Sequence, residues 1–99
     1  YVVFCIPCAY ELDLKKCAKA SGNKRVELIA VKELLPLTGY IRGGCSPIGM
    51  KKQFPTFFDE SALLYDKITV SAGVRGCQFF LNPNELIEFI GAETADLIM

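Results

Sequence analysis

Lys67-Ile68-Thr69-Val70-Ser71-Ala72, then Gly73-Val74-Arg75-Gly76, then Cys77-Gln78-Phe79-Phe80-Leu81 and Asn82-Pro83-Asn84-Glu85 form the stretch that decides the fold class. Ile68, Val70 and Ala72 alternate with Thr69 and Ser71, and Cys77, Phe79 and Leu81 alternate with Gln78 and Phe80. That period of two belongs to half-buried strands. The Gly-bounded connection predicts a hairpin that sets Ala72 against Cys77, Ser71 against Gln78 and Val70 against Phe79. Ser71 and Gln78 then share the face away from Val70 and Phe79, and Phe80 beside them argues against simple exposure. Asn82 as cap, Pro83 in the first helical position and Glu85 in the third open a helix. Its apolar side is Leu86, Ile87, Phe89 and Ile90, and Gly91 ends it. Strand, strand and helix in immediate succession predict an α+β domain.

Working outward, Tyr1–Ile6 reads as a buried strand. Asp13 caps a helix from Leu14 to about Ala20, with Leu14, Cys17, Ala18 and Ser21 on one face and Lys15, Lys16 and Lys19 on the other. A strand over Arg25–Ile29, a short helix over Val31–Leu37, a strand over Phe54–Asp59 and a turn or short helix over Glu60–Tyr65 follow. Ala92–Met99 reads as a last strand. The chain opens inside a strand with no initiator Met, and is expected to be a fragment lacking an N-terminal portion.

The chain has 99 residues, enough for one domain, residues 1–99. Hydrophobic residues are 52% and charged residues 22%, which excludes a disordered composition. No apolar stretch reaches the roughly 20 residues of a membrane helix, and no basic region with a cleavage site opens the chain. The expectation is a cytoplasmic protein with no membrane partner. Charge is zero in total yet divided. Residues 1–55 hold nine basic groups against four acidic, and residues 56–99 hold two against seven. Such a division can steer an anionic partner to one face, although interleaved halves of a folded surface give the same count.

Histidine is absent. That removes Ser-His-Asp triads, Cys-His dyads, His-ligated zinc and imidazole bases within this chain. Five cysteines at 5, 8, 17, 45 and 77 are an odd, irregular set that makes no disulfide framework. Cys5-Ile6-Pro7-Cys8 has the C-x-x-C spacing, but it ends a strand-like run instead of opening a helix, so coincidence is the better reading. A second C-x-x-C for zinc is missing, and no metal or organic cofactor is implied.

Tyr40-Ile41-Arg42-Gly43-Gly44-Cys45-Ser46-Pro47-Ile48-Gly49 is the most irregular segment. Adjacent glycines let backbone approach a ligand, and consecutive amides can hold an anion or a developing oxyanion. Arg42, Lys51 and Lys52 bracket the loop and could attract phosphate. Cys45 is a nucleophile by residue type only, since no histidine activates it.

Together these residues resemble the YbaK/EbsC family. The resemblance rests on Leu12-Asp13-Leu14-Lys15-Lys16, Thr38-Gly39-Tyr40 through Gly49, Pro55-Thr56 with Asp59, and Val70-Ser71-Ala72-Gly73 with Arg75-Gly76. It runs in order over essentially the whole chain. It implies a compact mixed β-barrel-like sheet flanked by short helices, related to the editing domain of prolyl-tRNA synthetase. It implies an aminoacyl-tRNA deacylase that clears mischarged tRNA, typically Cys-tRNA(Pro), with the substrate thiol as nucleophile. Mischarged proline tRNA and prolyl-tRNA synthetase are the implied partners. On that basis Gly43, Gly44 and Ser46 are candidate donors near the scissile carbonyl, with Pro47 holding the loop. Cys45, Ser71 and Gln78 are candidate substrate contacts, and Arg42, Lys51 and Lys52 candidate tRNA contacts. Two departures stand out. The family carries a catalytic lysine in its N-terminal part, with no counterpart here, so this chain alone is expected to be weakly active or inactive, and the position of Gln78 is often Asp. A non-catalytic tRNA- or synthetase-binding module on the same fold is the alternative, and a thiol redox protein a distant third.

Overall fold

The computed structural model describes all of residues 1–99. In chain order the elements are β1 (Val3–Cys5), α1 (Leu14–Ser21), α2 (Val31–Thr38), β2 (Thr56–Asp59), a 3-10 turn (Glu60–Leu64), β3 (Ile68–Ser71), β4 (Gln78–Leu81), α3 (Pro83–Ile90) and β5 (Glu93–Ala95). β2 is the spine. It pairs in parallel with β1 on one side and β5 on the other, with Phe57 opposite both Phe4 and Glu93. All four residues of β2 are buried, as befits a central parallel strand covered on both faces. Its Phe57 stacks on Phe4 with ring centroids 5.7 Å apart and joins Cys17 and Leu97 in the core.

α1 forms where the sequence places it. Asp13 accepts from the Lys15 and Lys16 amides at 3.0 and 3.1 Å, and Gly22 closes the helix in the left-handed region at φ 73°. Cys17 and Ala18 point inward, while Leu14 stays 40% exposed. α2 runs one residue past the expected Leu37, ending at Thr38. α3 opens as expected, with the Asn82 side chain accepting from the Glu85 amide at 3.1 Å. The hairpin register is the one the four-residue connection predicts: Ser71 opposite Gln78 and Val70 opposite Phe79. Ala72 donates to the Cys77 carbonyl at 2.9 Å.

Asp59 joins the spine to the C-terminal segment. Its carboxylate accepts from the Leu97 amide at 3.0 Å and the Ser61 amide at 3.1 Å. Burial pushes this carboxyl up, but the Ser61 hydroxyl beside it, those amides and the Lys16 ammonium outweigh it and hold it below its ordinary value.

Four expectations are corrected. The sheet does not close into a barrel: β1-β2-β5 and β3-β4 are separate sheets. β1 and β5, at three residues each, carry no ladder onward to the hairpin. Arg25–Ile29 is not a strand, because no partner backbone lies alongside it. Only Val26 reaches the core, and Leu28 is 80% exposed. On α3 only Leu86 of the apolar side is buried, while Phe89 stands in solvent. Phe80 is likewise exposed, with the Lys67 ammonium 5.4 Å above its ring. The last strand shrinks to β5, followed by a lone Leu12–Ile98 antiparallel bridge.

Candidate active site

Thr38 is the base of the loop. Its hydroxyl donates to the Leu34 carbonyl at 2.8 Å and accepts from the Tyr40 amide at 3.0 Å. Its carbonyl accepts from the Lys51 amide at 2.8 Å, so the loop leaves and returns at one point. That closure makes it an Ω-type loop, packed by its own side chains. Inside it the Gly44 amide donates to the Ile41 carbonyl at 2.9 Å. The Ser46 hydroxyl accepts from the Ile48 amide at 3.2 Å. The Tyr40 hydroxyl donates to the Ile48 carbonyl. Gly44, Ser46 and Pro47 are buried, whereas Arg42, Gly43 and Cys45 are exposed.

The hairpin turn lies against this loop. A Cβ on Gly44 would sit 3.3 Å from both the Arg75 nitrogen and the Val74 Cα. Glycine is required there by close backbone approach, not by φ. The Arg75 Nε donates to the Arg42 carbonyl at 2.9 Å. At the other end of the turn the Tyr40 ring occupies the space beside Gly73, where a Cβ would come within 2.8 Å of it.

Beside the loop opens a cleft of about 590 Å³, mostly apolar, within the range of about 300–1,000 Å³ typical of small-molecule sites. Cys45, Ser46 and Pro47 line it, as do Val26, Leu28 and Ile29, together with residues of β1 and α2. Of the expected donors, Gly44 has its amide already engaged in the turn. The amides of Gly43, Cys45 and Ser46 donate to no group in the chain. Ser71 and Gln78 do not line this cleft. They flank the turn that touches Gly43 and Gly44, with the Ser71 hydroxyl accepting from the Gly73 amide at 3.2 Å and Gln78 exposed. Arg42, Lys51 and Lys52 are exposed and have no acidic partner. The Lys52 ammonium sits 5.9 Å from the Phe54 ring centroid.

Neither Cys5 nor Cys45 is an activated thiol. Burial pushes the Cys5 thiol up to about 12, the reverse of what a redox pair needs. Desolvation pushes Cys45 up as well, and its sulfur contacts the Ile41 carbonyl at 3.4 Å. All five cysteines are free. No three His, Cys, Asp or Glu side chains come together to hold a metal, and no helix is long and apolar enough to cross a membrane.

Two residues of this site, Tyr40 and Arg75, lie within the quoted motifs, but motif reading gives neither of them a role. The one signal was an arginine alone in a four-residue turn that needed no charge for its geometry.

Comparison with known proteins places the chain. Residues 1–89 match the model of the aminoacyl-tRNA editing domain. A protein of Enterococcus faecalis, EbsC, named as a candidate Cys-tRNA(Pro)/Cys-tRNA(Cys) deacylase, is 56% identical over 96 residues, 97% of this chain and 58% of that protein. Among solved structures, an epitope-grafting scaffold superposes with a TM-score of 0.88 at 30% identity, over 97% of this chain and 63% of its own. A protein described as a candidate trans-editing enzyme for prolyl tRNA synthetase superposes with a TM-score of 0.81 at 30% identity, over 92% of this chain and 57% of its own. The chain spans less than two thirds of the length of each of these relatives.

Proposed function

The chain belongs to the aminoacyl-tRNA editing-domain family, and on that premise we propose that it hydrolyses the ester joining a wrong amino acid to tRNA, with Cys-tRNA(Pro) the foremost substrate. The observation that carries this reading is the loop from Tyr40 to Gly49, closed on itself, packed on the hairpin turn and bordering an apolar cleft.

The unengaged amides of Cys45 and Ser46, with the Ser46 hydroxyl, polarise the scissile carbonyl. Gly43 and Gly44 let the hairpin turn pack onto the back of the loop, and Pro47 stiffens it. One such donor is worth roughly a hundred- to a thousandfold in rate. Ser71 and Gln78 meet the aminoacyl end or the terminal ribose. Arg42, Lys51 and Lys52, free of acidic partners, guide the tRNA backbone.

The nucleophile comes from the substrate. The chain has no histidine, and desolvation holds the Cys45 thiol protonated. The sulfur of the charged cysteine attacks its own carbonyl, a C–S bond forms and the ester C–O bond breaks. The tRNA hydroxyl leaves with a proton, and the amino acid departs as a cyclic thiolactone. Positioning then supplies most of the acceleration. The reading places the protein in the cytoplasm, with mischarged proline tRNA as partner and prolyl-tRNA synthetase as the enzyme whose errors it clears. Incubating the chain, extended upstream by the N-terminal portion that carries the family's lysine, with Cys-tRNA(Pro) and Pro-tRNA(Pro) tests it. Loss of the cysteinyl ester alone is expected, and survival of both esters refutes the reading.

A further inference from the structure

We infer that Arg75 is a positioning residue: its Nε–H, not its charge, locks the hairpin turn onto the glycine loop and fixes the wall of the cleft. The functional consequence rests on the deacylase reading, while the lock itself rests on geometry alone. The bond from Arg75 Nε to the Arg42 carbonyl spans 33 residues of sequence at 2.9 Å. The side chain lies directly over Gly43, where a Cβ would meet its Cγ at 3.5 Å and its Nε at 3.2 Å. Gly43 therefore makes room for the arginine stem, and at φ 88° it is also in the left-handed region. Gly44 packs against the backbone of the same turn.

Charge does not explain the placement. The ion pairs are Lys16–Asp96 and Arg25–Glu27, and Arg75 has no carboxylate partner. A neutral carbonyl holds it. Tyr40 grips the opposite end of the turn, its ring beside Gly73 and its hydroxyl on the Ile48 carbonyl. Two segments far apart in sequence thus become one surface, which sets Ser71 and Gln78 in a fixed relation to Cys45 and Ser46.

Two conservative substitutions separate donor from charge. The Nε2 of glutamine is the same number of bonds from the backbone as the Nε of arginine, so Arg75→Gln keeps the donor and deletes the charge. Lysine has a methylene there, so Arg75→Lys keeps the charge and misplaces the donor. Amide hydrogen exchange on this chain reads the loop directly. In Arg75→Lys the Gly44 amide, bonded to Ile41, is expected to exchange roughly three- to tenfold faster, the worth of one solvent-exposed hydrogen bond. In Arg75→Gln it should stay within about twofold of the parent. The Cys17 amide, bonded to Asp13 in α1, should not change in either.

Single-turnover hydrolysis of Cys-tRNA(Pro), by the chain extended upstream to include the family's lysine, supplies the second readout. The rate at saturation should fall further in Arg75→Lys than in Arg75→Gln, with KM and salt dependence unaltered. The reverse ranking, with a salt slope shallower by about one in Arg75→Gln, marks a phosphate contact and overturns the proposal. So does unchanged Gly44 exchange in Arg75→Lys, or a loss of protection that extends to Cys17. If the extended parent chain leaves the ester intact, the deacylase reading fails, and exchange still decides the lock.

Discussion

Two irregular segments that border the large cleft are built differently. The wall from Tyr40 to Gly49 closes on Thr38, buries Gly44, Ser46 and Pro47, and is held from outside by the Arg75 side chain and the Val74 backbone. The wall from Arg25 to Ile29 has no ladder. It sends Val26 alone into the core, leaves Leu28 80% exposed, and has one surface ion pair, Arg25–Glu27. Absence of regular structure therefore says little about rigidity. A hydrogen bond from a distant segment and close backbone packing, not secondary structure, distinguish the first wall from the second. The first wall suits chemistry, which tolerates little displacement. The second suits adjustable apolar contact.

The strongest way to break this contrast is Gly44→Val. Its branched side chain would press on backbone atoms of Val74 and Arg75 that a Cβ alone already meets at 3.3 Å. Hydrolysis of Cys-tRNA(Pro) should fall at least about a hundredfold, and urea denaturation should show a loss of roughly 1–3 kcal/mol. Parent-like turnover would dissolve the distinction between the walls.

Asp59→Asn tests the spine beneath both walls. An amide cannot accept from both Leu97 and Ser61 as the carboxylate does, and stability should drop by about 2 kcal/mol. The pH dependence has a definite sign. The folded carboxyl sits below its ordinary value of 3.8, so the unfolded chain takes the proton first. The stabilisation is complete above that ordinary value and is lost as pH falls through the folded one. Acid titration of the denaturation midpoint should show this decline in the parent and a flatter curve in Asp59→Asn.

Gln78→Asp sharpens the role of the hairpin. A carboxylate favours a protonated amine or a hydroxyl through charge-assisted bonding. Relative kcat/KM for Cys-, Ala- and Ser-charged proline tRNA should shift by about tenfold to a hundredfold, with salt dependence unmoved. An equal change for all three substrates would remove Gln78 from the aminoacyl end. The smallest effect belongs to the loose wall. Leu28→Ser should raise KM about two- to threefold through lost apolar contact, and leave the denaturation midpoint in place.

What the sequence made legible was local. The pairing of Ser71 with Gln78 followed from strand period and turn length, and the caps at Asp13 and Asn82 from side chains a few residues from their partners. Gly43 to Pro47 stood out by composition. The contacts that shape the site are long-range. Arg75 on Arg42 and Tyr40 on Gly73 leave no periodicity to read. Apolar type misled at Phe80, Phe89 and Leu28, which the fold leaves in solvent. The strand expected over Arg25–Ile29 failed for a related reason: alternation gives a strand its faces but not its partner.

The most direct test of the account compares single-turnover hydrolysis of Cys-tRNA(Pro) and Ser-tRNA(Pro) by the chain extended upstream to include the family's lysine. The two esters differ in one atom, and a hydroxyl is a far weaker nucleophile than a thiol at neutral pH. With no histidine and a protonated Cys45, a chain that positions the ester and borrows its nucleophile should clear the cysteinyl ester at least about a hundredfold faster. Equal rates for the two, or no hydrolysis of either, would contradict it.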